Sequence, residues 1–293
     1  MKLERRLIKS YFICLFSYLS ALAIIFLFWM IGSLLPILVF VFLADIIGTF
    51  VIFIFSTIFK NASLYDPYWS VIPLIITIFY ALNSKRLSLI SIIVIIFVFI
   101  WSIRLTFNWV RQWKGLSHED WRYQDLRTKN GSKFWIVNLV GIQLMPTILV
   151  YLGTLPIYTV FYMSNQHLTI LDILAFIITL TAILFETIAD QQLRNFIKHR
   201  NSQEETIKSG LWKFSRHPNY FGEVLFWWGL YVFSLAISLE FWWFIIGPLS
   251  ITVLFIAVSI PLMEKKNMMT KPSYETYKKE VSKLIPWFKK KGV

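Results

Sequence analysis

The sequence predicts an all-α fold, a polytopic membrane helical bundle of about seven to eight transmembrane helices, on three observations. The 293 residues are 57% hydrophobic and 18% aromatic but only 15% charged, well below the roughly 25% of an ordinary soluble domain. Apolar stretches of roughly 20 residues, the length needed to cross a hydrocarbon core of about 30 Å, recur along the whole chain. Of the 29 Lys and Arg residues, all but Lys85 and Arg86 fall at the termini or in alternate connections. Basic residues beside transmembrane segments stay on the cytoplasmic side.

Taken in order, spans are expected near 10–31, 34–58, 69–82, 87–109, 134–160, 168–189, 220–239 and 241–262, the third being the shortest. Eight crossings place both termini together, and the basic loops make that side cytoplasmic. The recurrence of apolar spans excludes a single cleaved signal peptide as their explanation. Residues 1–58 read as an N-terminal transmembrane hairpin, and 59–293 as the part that carries the chemistry. Pro146 and Pro156 are expected to kink the fifth span, and Gly247-Pro248 the eighth. The polar stretches 111–133 and 190–219 are long enough to fold over a cavity mouth.

The net charge of +13 is spread over loops beside the membrane rather than gathered in a soluble domain. Topology therefore accounts for most of it, and nucleic acid is excluded as a partner. Attraction to anionic lipid headgroups, about 1 kcal/mol per nearby basic side chain, adds to it at the Lys289-Lys290-Lys291 tail. The single cysteine, Cys14, has no internal disulfide partner. His118, His167, His199 and His217 share no metal-ligand spacing, so no metal site is expected.

Chemistry concentrates in Ser215-Arg216-His217-Pro218-Asn219-Tyr220-Phe221-Gly222-Glu223. Pro218 holds His217 extended and suits the first helical position, which puts Asn219, Tyr220 and Glu223 in the opening turns of a helix. The unpaired N–H groups there, with Arg216 and His217 just outside, form a seat for phosphate or carboxylate. A second group, Glu186, Asp190, Arg194 and Lys198, repeats every four residues and so lies on one helical stripe. Asp190 and Arg194 read equally as a helix-stabilising pair, whereas Glu186 sits in an apolar run where an ionisable group implies a partner or a wet cavity. A third, Asp66-Pro67-Tyr68-Trp69-Ser70, opens a span. It reads either as a cap with interfacial rings or as Tyr68 donating a proton with its orientation fixed by Asp66. The 109–127 loop mixes Arg111, His118, Trp121, Arg122 and Tyr123, and Glu264, Tyr274 and Tyr277 follow the last span. No glycine-rich phosphate loop or dinucleotide fingerprint is present, so any nucleotide binds by another route.

Together these residues resemble the steroid 5-alpha-reductase-like family, and most closely its functionally undefined branch. The resemblance covers roughly residues 60–290. It rests on Ser215 to Glu223, Glu186 to Arg194, Asp66 to Ser70, Trp101 to Trp113 with Asp120 to Tyr123, and Tyr277 with Leu284-Ile285-Pro286. It implies that 59–293 is a transmembrane catalytic domain whose pocket holds NADPH and reduces a carbon–carbon double bond conjugated to a ketone. On this resemblance Asp190, Arg194 and Lys198 hold the adenosine and phosphate end. Arg216, His217, Asn219, Tyr220 and Glu223 line the way to the nicotinamide, and Arg104 and Tyr277 clamp from other walls. The tyrosine that polarises the ketone in steroid reductases is replaced by Trp101, which leaves Tyr68 with Asp66 as the substitute acid. The substrate is expected to be sterol-like or polyprenyl-like and to enter from the bilayer.

The same Arg-His-Pro-x-Tyr element, with a downstream glutamate and two tyrosines, also resembles membrane methyltransferases of the isoprenylcysteine carboxyl and phospholipid types. Glu264, Tyr274 and Tyr277 match that pattern, and S-adenosylmethionine is then the alternative cofactor. A non-catalytic lipid-binding protein is the third reading. The oligomeric state is not legible in the sequence.

Overall fold

The computed structural model describes residues 2–31, 34–163 and 167–289. Lys290 and Lys291 of the basic tail lie outside the described residues. Among the described residues the regular elements are helical, with one isolated bridge between Ser215 and Ser282. The α-helices are α1 (Lys2–Ile31), α2 (Ile37–Ile58), α3 (Tyr68–Asn83), α4 (Leu89–Gln112), α5 (Trp121–Asn130), α6 (Phe134–Ile136), α7 (Met145–Tyr162), α8 (Ile170–His199), α9 (Pro218–Ile237), α10 (Ile246–Leu254), α11 (Ile260–Thr270) and α12 (Tyr274–Glu280).

Eight helical stretches among the described residues are long and apolar enough to span a bilayer: Glu4–Ile31, Ile37–Ile58, Ala62–Asn83, Leu89–Gln112, Trp121–Tyr162, Ile170–His199, Pro218–Ile237 and Leu239–Thr270. The chain is a multi-pass membrane protein. The third stretch is longer than the sequence indicates because a 3-10 turn, Ala62–Tyr65, runs into α3. Asn61 caps that turn by accepting from the Ser63 N–H.

The burial pattern of α8 shows what surrounds these helices. Ile170, Ile173, Leu174, Ile177, Leu184 and Ile188 form an exposed apolar stripe, whereas Ala175, Thr179, Ala182, Glu186 and Ala189 are buried. The polar and small residues point inward and the large apolar ones outward, the reverse of a water-soluble helix. Thr169 and Asp172 start α8 with a reciprocal capping box.

Pro156 and Pro248 lie inside continuous helices, and the irregular backbone falls elsewhere. Residues Val137–Leu144 and Phe255–Ser259 are π-helical. Each segment ends just before a proline, Pro146 or Pro261, whose missing N–H deprives a carbonyl one turn earlier of its donor.

The chain packs as two compact units, Met1–Ser84 with Val98–Tyr158, and Lys85–Phe97 with Thr159–Val293. Helices α1 and α2 belong to the first unit, together with α3 and α5. In the first unit, α2 carries an inward stripe of Asp45, Thr49, Ile52 and Ser56. In the second, Ser91 donates to the Val160 carbonyl (3.1 Å), and Phe97 meets Phe176 at 5.2 Å.

Candidate functional site

Most candidate residues lie in the second unit, on and around the α8–α9 pair. His217 has a non-helical backbone (φ −139°, ψ 59°), though not the extended one expected before a proline, and Pro218 occupies the first helical turn, so the helix starts where the Arg-His-Pro element places it. Gly222 sets the spacing of the two helices. A Cβ there would lie 2.8 Å from the Ala182 carbonyl oxygen and 2.9 Å from the Glu186 nitrogen, so only glycine lets the backbones approach this closely.

That approach creates a polar seam. Asn219 Nδ2 donates to Asp190 Oδ1 at 3.4 Å. Glu186 is buried beside Gly222, and Glu223, also buried, accepts from the Trp227 indole N–H at 3.0 Å. Tyr220 stacks on His217, with ring centroids 5.3 Å apart and planes 10° apart, and also meets Phe255 at 4.8 Å. The structure thus brings Glu186, Asp190, Asn219 and Glu223 together, a group rich in hydrogen-bond acceptors.

The connection from α8 to α9 folds back on α8. Gly210, with φ +60°, turns the chain so that the Leu211 N–H reaches Gln192 Oε1 (2.9 Å) and the Trp212 indole reaches the Ala189 carbonyl (3.1 Å).

Arg216 and Tyr277 correct the sequence reading. The Arg216 side chain is not directed to an anion seat: Nε donates to Glu264 Oε1 (2.7 Å), and Nη1 donates to the carbonyls of Lys278 (2.6 Å) and Val281 (2.5 Å). Lys278 Nζ reaches the other Glu264 oxygen at 3.2 Å. Tyr277 donates its hydroxyl to the Trp212 carbonyl (2.6 Å), and Ser215 Oγ donates to the Leu284 carbonyl (2.7 Å). These bonds fasten the C-terminal segment to the start of α9. The guanidinium prefers them because a buried arginine must saturate its donors within the protein. Burial also pushes the Tyr274 hydroxyl up to about 12. Glu264, Tyr274 and Tyr277 therefore lie together around Arg216 as part of the same fastening.

His217 supplies no positive charge to the helix start at neutral pH. Burial lowers its pKa below 6.5, and Arg216 and Lys283 add to that against the pull of Glu264. Cations outside the seam are placed differently. Arg194 donates to Gln191 Oε1 (2.8 Å), and Lys198 is exposed at the end of α8. Lys271, just past α11, is lowered by burial and then by the nearby charges of Arg200 and Lys266. Sequence reasoning missed this cluster because Arg200 lies far in the chain from Lys266 and Lys271 and the three match no motif.

Asp66, Tyr68 and Arg104 belong to the first unit. Arg104 is half-buried on α4. Asp66 does not orient Tyr68, and the expected acid pair is corrected accordingly. Tyr68 donates to the Asp45 carbonyl (2.8 Å) and to Asp45 Oδ1 (2.9 Å), while Asp66 Oδ1 accepts from Tyr123 at 2.6 Å. Gly48 makes the first pairing possible, since a Cβ there would stand 2.6 Å from the Tyr68 hydroxyl. The signal for Asp45 was available: it is an acid inside an otherwise apolar span, where ionisable residues are costly and need partners. Thr49 shares a hydrogen with Thr147 (2.6 Å), which meets Tyr65 (2.7 Å), and Gln143 donates to Ser56 (2.8 Å) and Asn138 (3.0 Å). Among the described residues no group of His, Cys, Asp and Glu side chains is placed to hold a metal ion.

A family model described as a protein of unknown function, DUF1295, matches residues 52–281. The chain belongs to that family. The DUF1295 family is related to the steroid 5-alpha-reductase-like proteins, and the matched span includes the whole α8–α9 seam and the Arg216 fastening. An uncharacterized protein of Schizosaccharomyces pombe is 27% identical over 253 residues, covering 78% of this chain and 73% of its own. No solved structure matches the chain.

Proposed function

We propose that this DUF1295 protein is a membrane oxidoreductase that transfers a hydride from NADPH to a conjugated carbon–carbon double bond of a lipophilic, sterol-like or polyprenyl-like substrate. The distribution of basic residues supports a cytoplasmic position for both termini. The observation that carries the reading is the seam in which Asp190 meets Asn219 at 3.4 Å beside the buried carboxyl groups of Glu186 and Glu223.

The donor set fits the coenzyme by its chemistry. Carboxylate and amide oxygens accept hydrogen bonds from a carboxamide and from ribose hydroxyls. Cations beyond the seam, Arg194 and Lys198 with Arg200 and Lys271, suit the phosphates. Bound NADPH would supply a hydride. The chain's residues bind and orient it, and the apolar helices around the seam exclude water. Tyr68 is not assigned as the acid, because its hydroxyl is spent on Asp45.

The test is binding to purified protein in detergent, with NADPH and S-adenosylmethionine compared at equal concentration. The proposal expects NADPH to bind and Asp190→Ala to weaken it. Selective binding of S-adenosylmethionine would replace the reductase reading with that of a membrane methyltransferase. Binding of neither would leave a non-catalytic lipid-binding protein.

A further inference from the structure

The first unit holds a groove that the coenzyme reading does not use. It has a volume of about 510 Å³ and is walled by α1 (from Ile8 to Leu22), by Pro67 and Val71, and by Thr106, Trp109 and Val110 of α4. From Ile8 to Leu22 a helix rises about 21 Å, more than half of a hydrocarbon core of about 30 Å. Its polar groups are either bonded within the protein or, like the Trp109 indole nitrogen and Cys14, buried. Tyr11 donates to the Val110 carbonyl (2.6 Å), Tyr18 to the Leu64 carbonyl (3.1 Å), and Thr106 shares a hydrogen with Ser70 (2.9 Å). The trough therefore offers a ligand only apolar surface, which excludes a polar small molecule.

Charge is confined to one end. The Leu116 N–H donates to Ser10 Oγ (3.1 Å), which, with the Tyr11 bond, holds residues 110–116 against the start of α1. Arg5, Arg6, Lys9, Arg111 and Lys114 are all exposed on these two segments. None of the five is paired with a carboxylate among the described residues. A long apolar trough under an unneutralised basic collar is complementary to a molecule with a long chain and an anionic head.

We propose that this groove is a binding site for one anionic phospholipid, an acyl chain lying along α1 and the headgroup phosphate held by the collar. The apolar trough takes any acyl chain equally, so discrimination between lipids resides in the basic side chains. The proposal is independent of the coenzyme reading and survives its failure.

The experiment is native mass spectrometry of the full chain after equilibration in equimolar phosphatidylglycerol and phosphatidylcholine. The wild type should retain phosphatidylglycerol over phosphatidylcholine by about tenfold. The triple variant Arg5→Gln/Arg6→Gln/Lys9→Gln should bring that ratio close to one while still retaining lipid. Leu15→Trp/Leu19→Trp, which fills the trough, should lose both lipids. As a control, Lys208→Gln/Lys213→Gln removes two charges from the second unit and should keep the preference. Equal retention by the wild type, a preference surviving in the triple or trough-filled variant, or its loss in the control would each overturn the proposal. Unchanged thermal unfolding of the trough-filled variant separates lost binding from lost folding.

Discussion

The two units handle buried polarity in opposite ways. In the first, polar groups inside the apolar helices satisfy one another through mostly neutral bonds, such as Thr49 with Thr147 and Tyr65, or Gln143 with Ser56 and Asn138. In the second, full charges are concentrated at the start of α9, where Arg216, Glu264 and Lys278 meet. Neutral hydrogen bonds between membrane helices average about 0.6 kcal/mol and reach about 1.7 kcal/mol. Breaking a buried ion pair costs about 3–5 kcal/mol, because it leaves one charge uncompensated. The first unit's buried helix interior is thus held by many small, replaceable terms, its ion pairs, such as Arg122 with Asp120 and Arg127 with Glu119, being partly exposed. The second depends on one large one, beside the α8–α9 seam in which Asp190 meets Asn219.

The sharpest way to break the comparison is Glu264→Gln. With both members of the pair nearly inaccessible, at 8% and 6% side-chain exposure, the variant should lose about 3–5 kcal/mol. Loss should show as a lower thermal midpoint in detergent and as protease sensitivity after Ser282. A loss below about 1 kcal/mol would mean the fastening is a surface bridge. Next in size is Gly222→Ala, whose methyl group meets backbone rather than a movable side chain. It should cost about 1–3 kcal/mol and weaken coenzyme binding together with stability.

Tyr68→Phe tests the first unit. It removes the donor to Asp45 and should cost about 1 kcal/mol, within the range of neutral membrane bonds. A loss as large as that of Glu264→Gln would erase the contrast between the units.

The smallest effect is that of pH on His217. Its pKa is lowered on folding, so the unfolded chain binds the proton more tightly. Stability from this group is therefore complete above about pH 6.5. It falls as pH drops through the folded value. The thermal midpoint should decline on acidification, and His217→Phe, which can keep the stack on Tyr220, should flatten that decline. A rise in midpoint on acidification would contradict burial of the neutral ring.

What was legible in the sequence was whatever repeats or sits close together in the chain. The membrane helices follow from apolar length, the α8 stripe from four-residue spacing, and the start of α9 from Pro218. Gly222 falls in the same nine-residue cluster, and the close approach of α8 and α9 there requires it. What was not legible depended on partners distant in sequence. Arg216 is 48 residues from Glu264 and 65 from Val281, so its commitment to the fold could not be read from the Arg-His-Pro element. Tyr68 and Asp66 looked like a pair because they are two residues apart. Helix geometry sends them to different partners, Asp45 and Tyr123. Lys271 with Arg200 was invisible for the same reason.

The central claim is that the α8–α9 seam recognises a nicotinamide coenzyme, and the most direct test is the NADPH dissociation constant of wild type and Asp190→Ala, alongside that for S-adenosylmethionine. The account predicts saturable NADPH binding that weakens about tenfold in the variant, equivalent to about 1.4 kcal/mol, with no comparable affinity for S-adenosylmethionine. Equal NADPH affinity in both proteins, or tighter binding of S-adenosylmethionine, would contradict it.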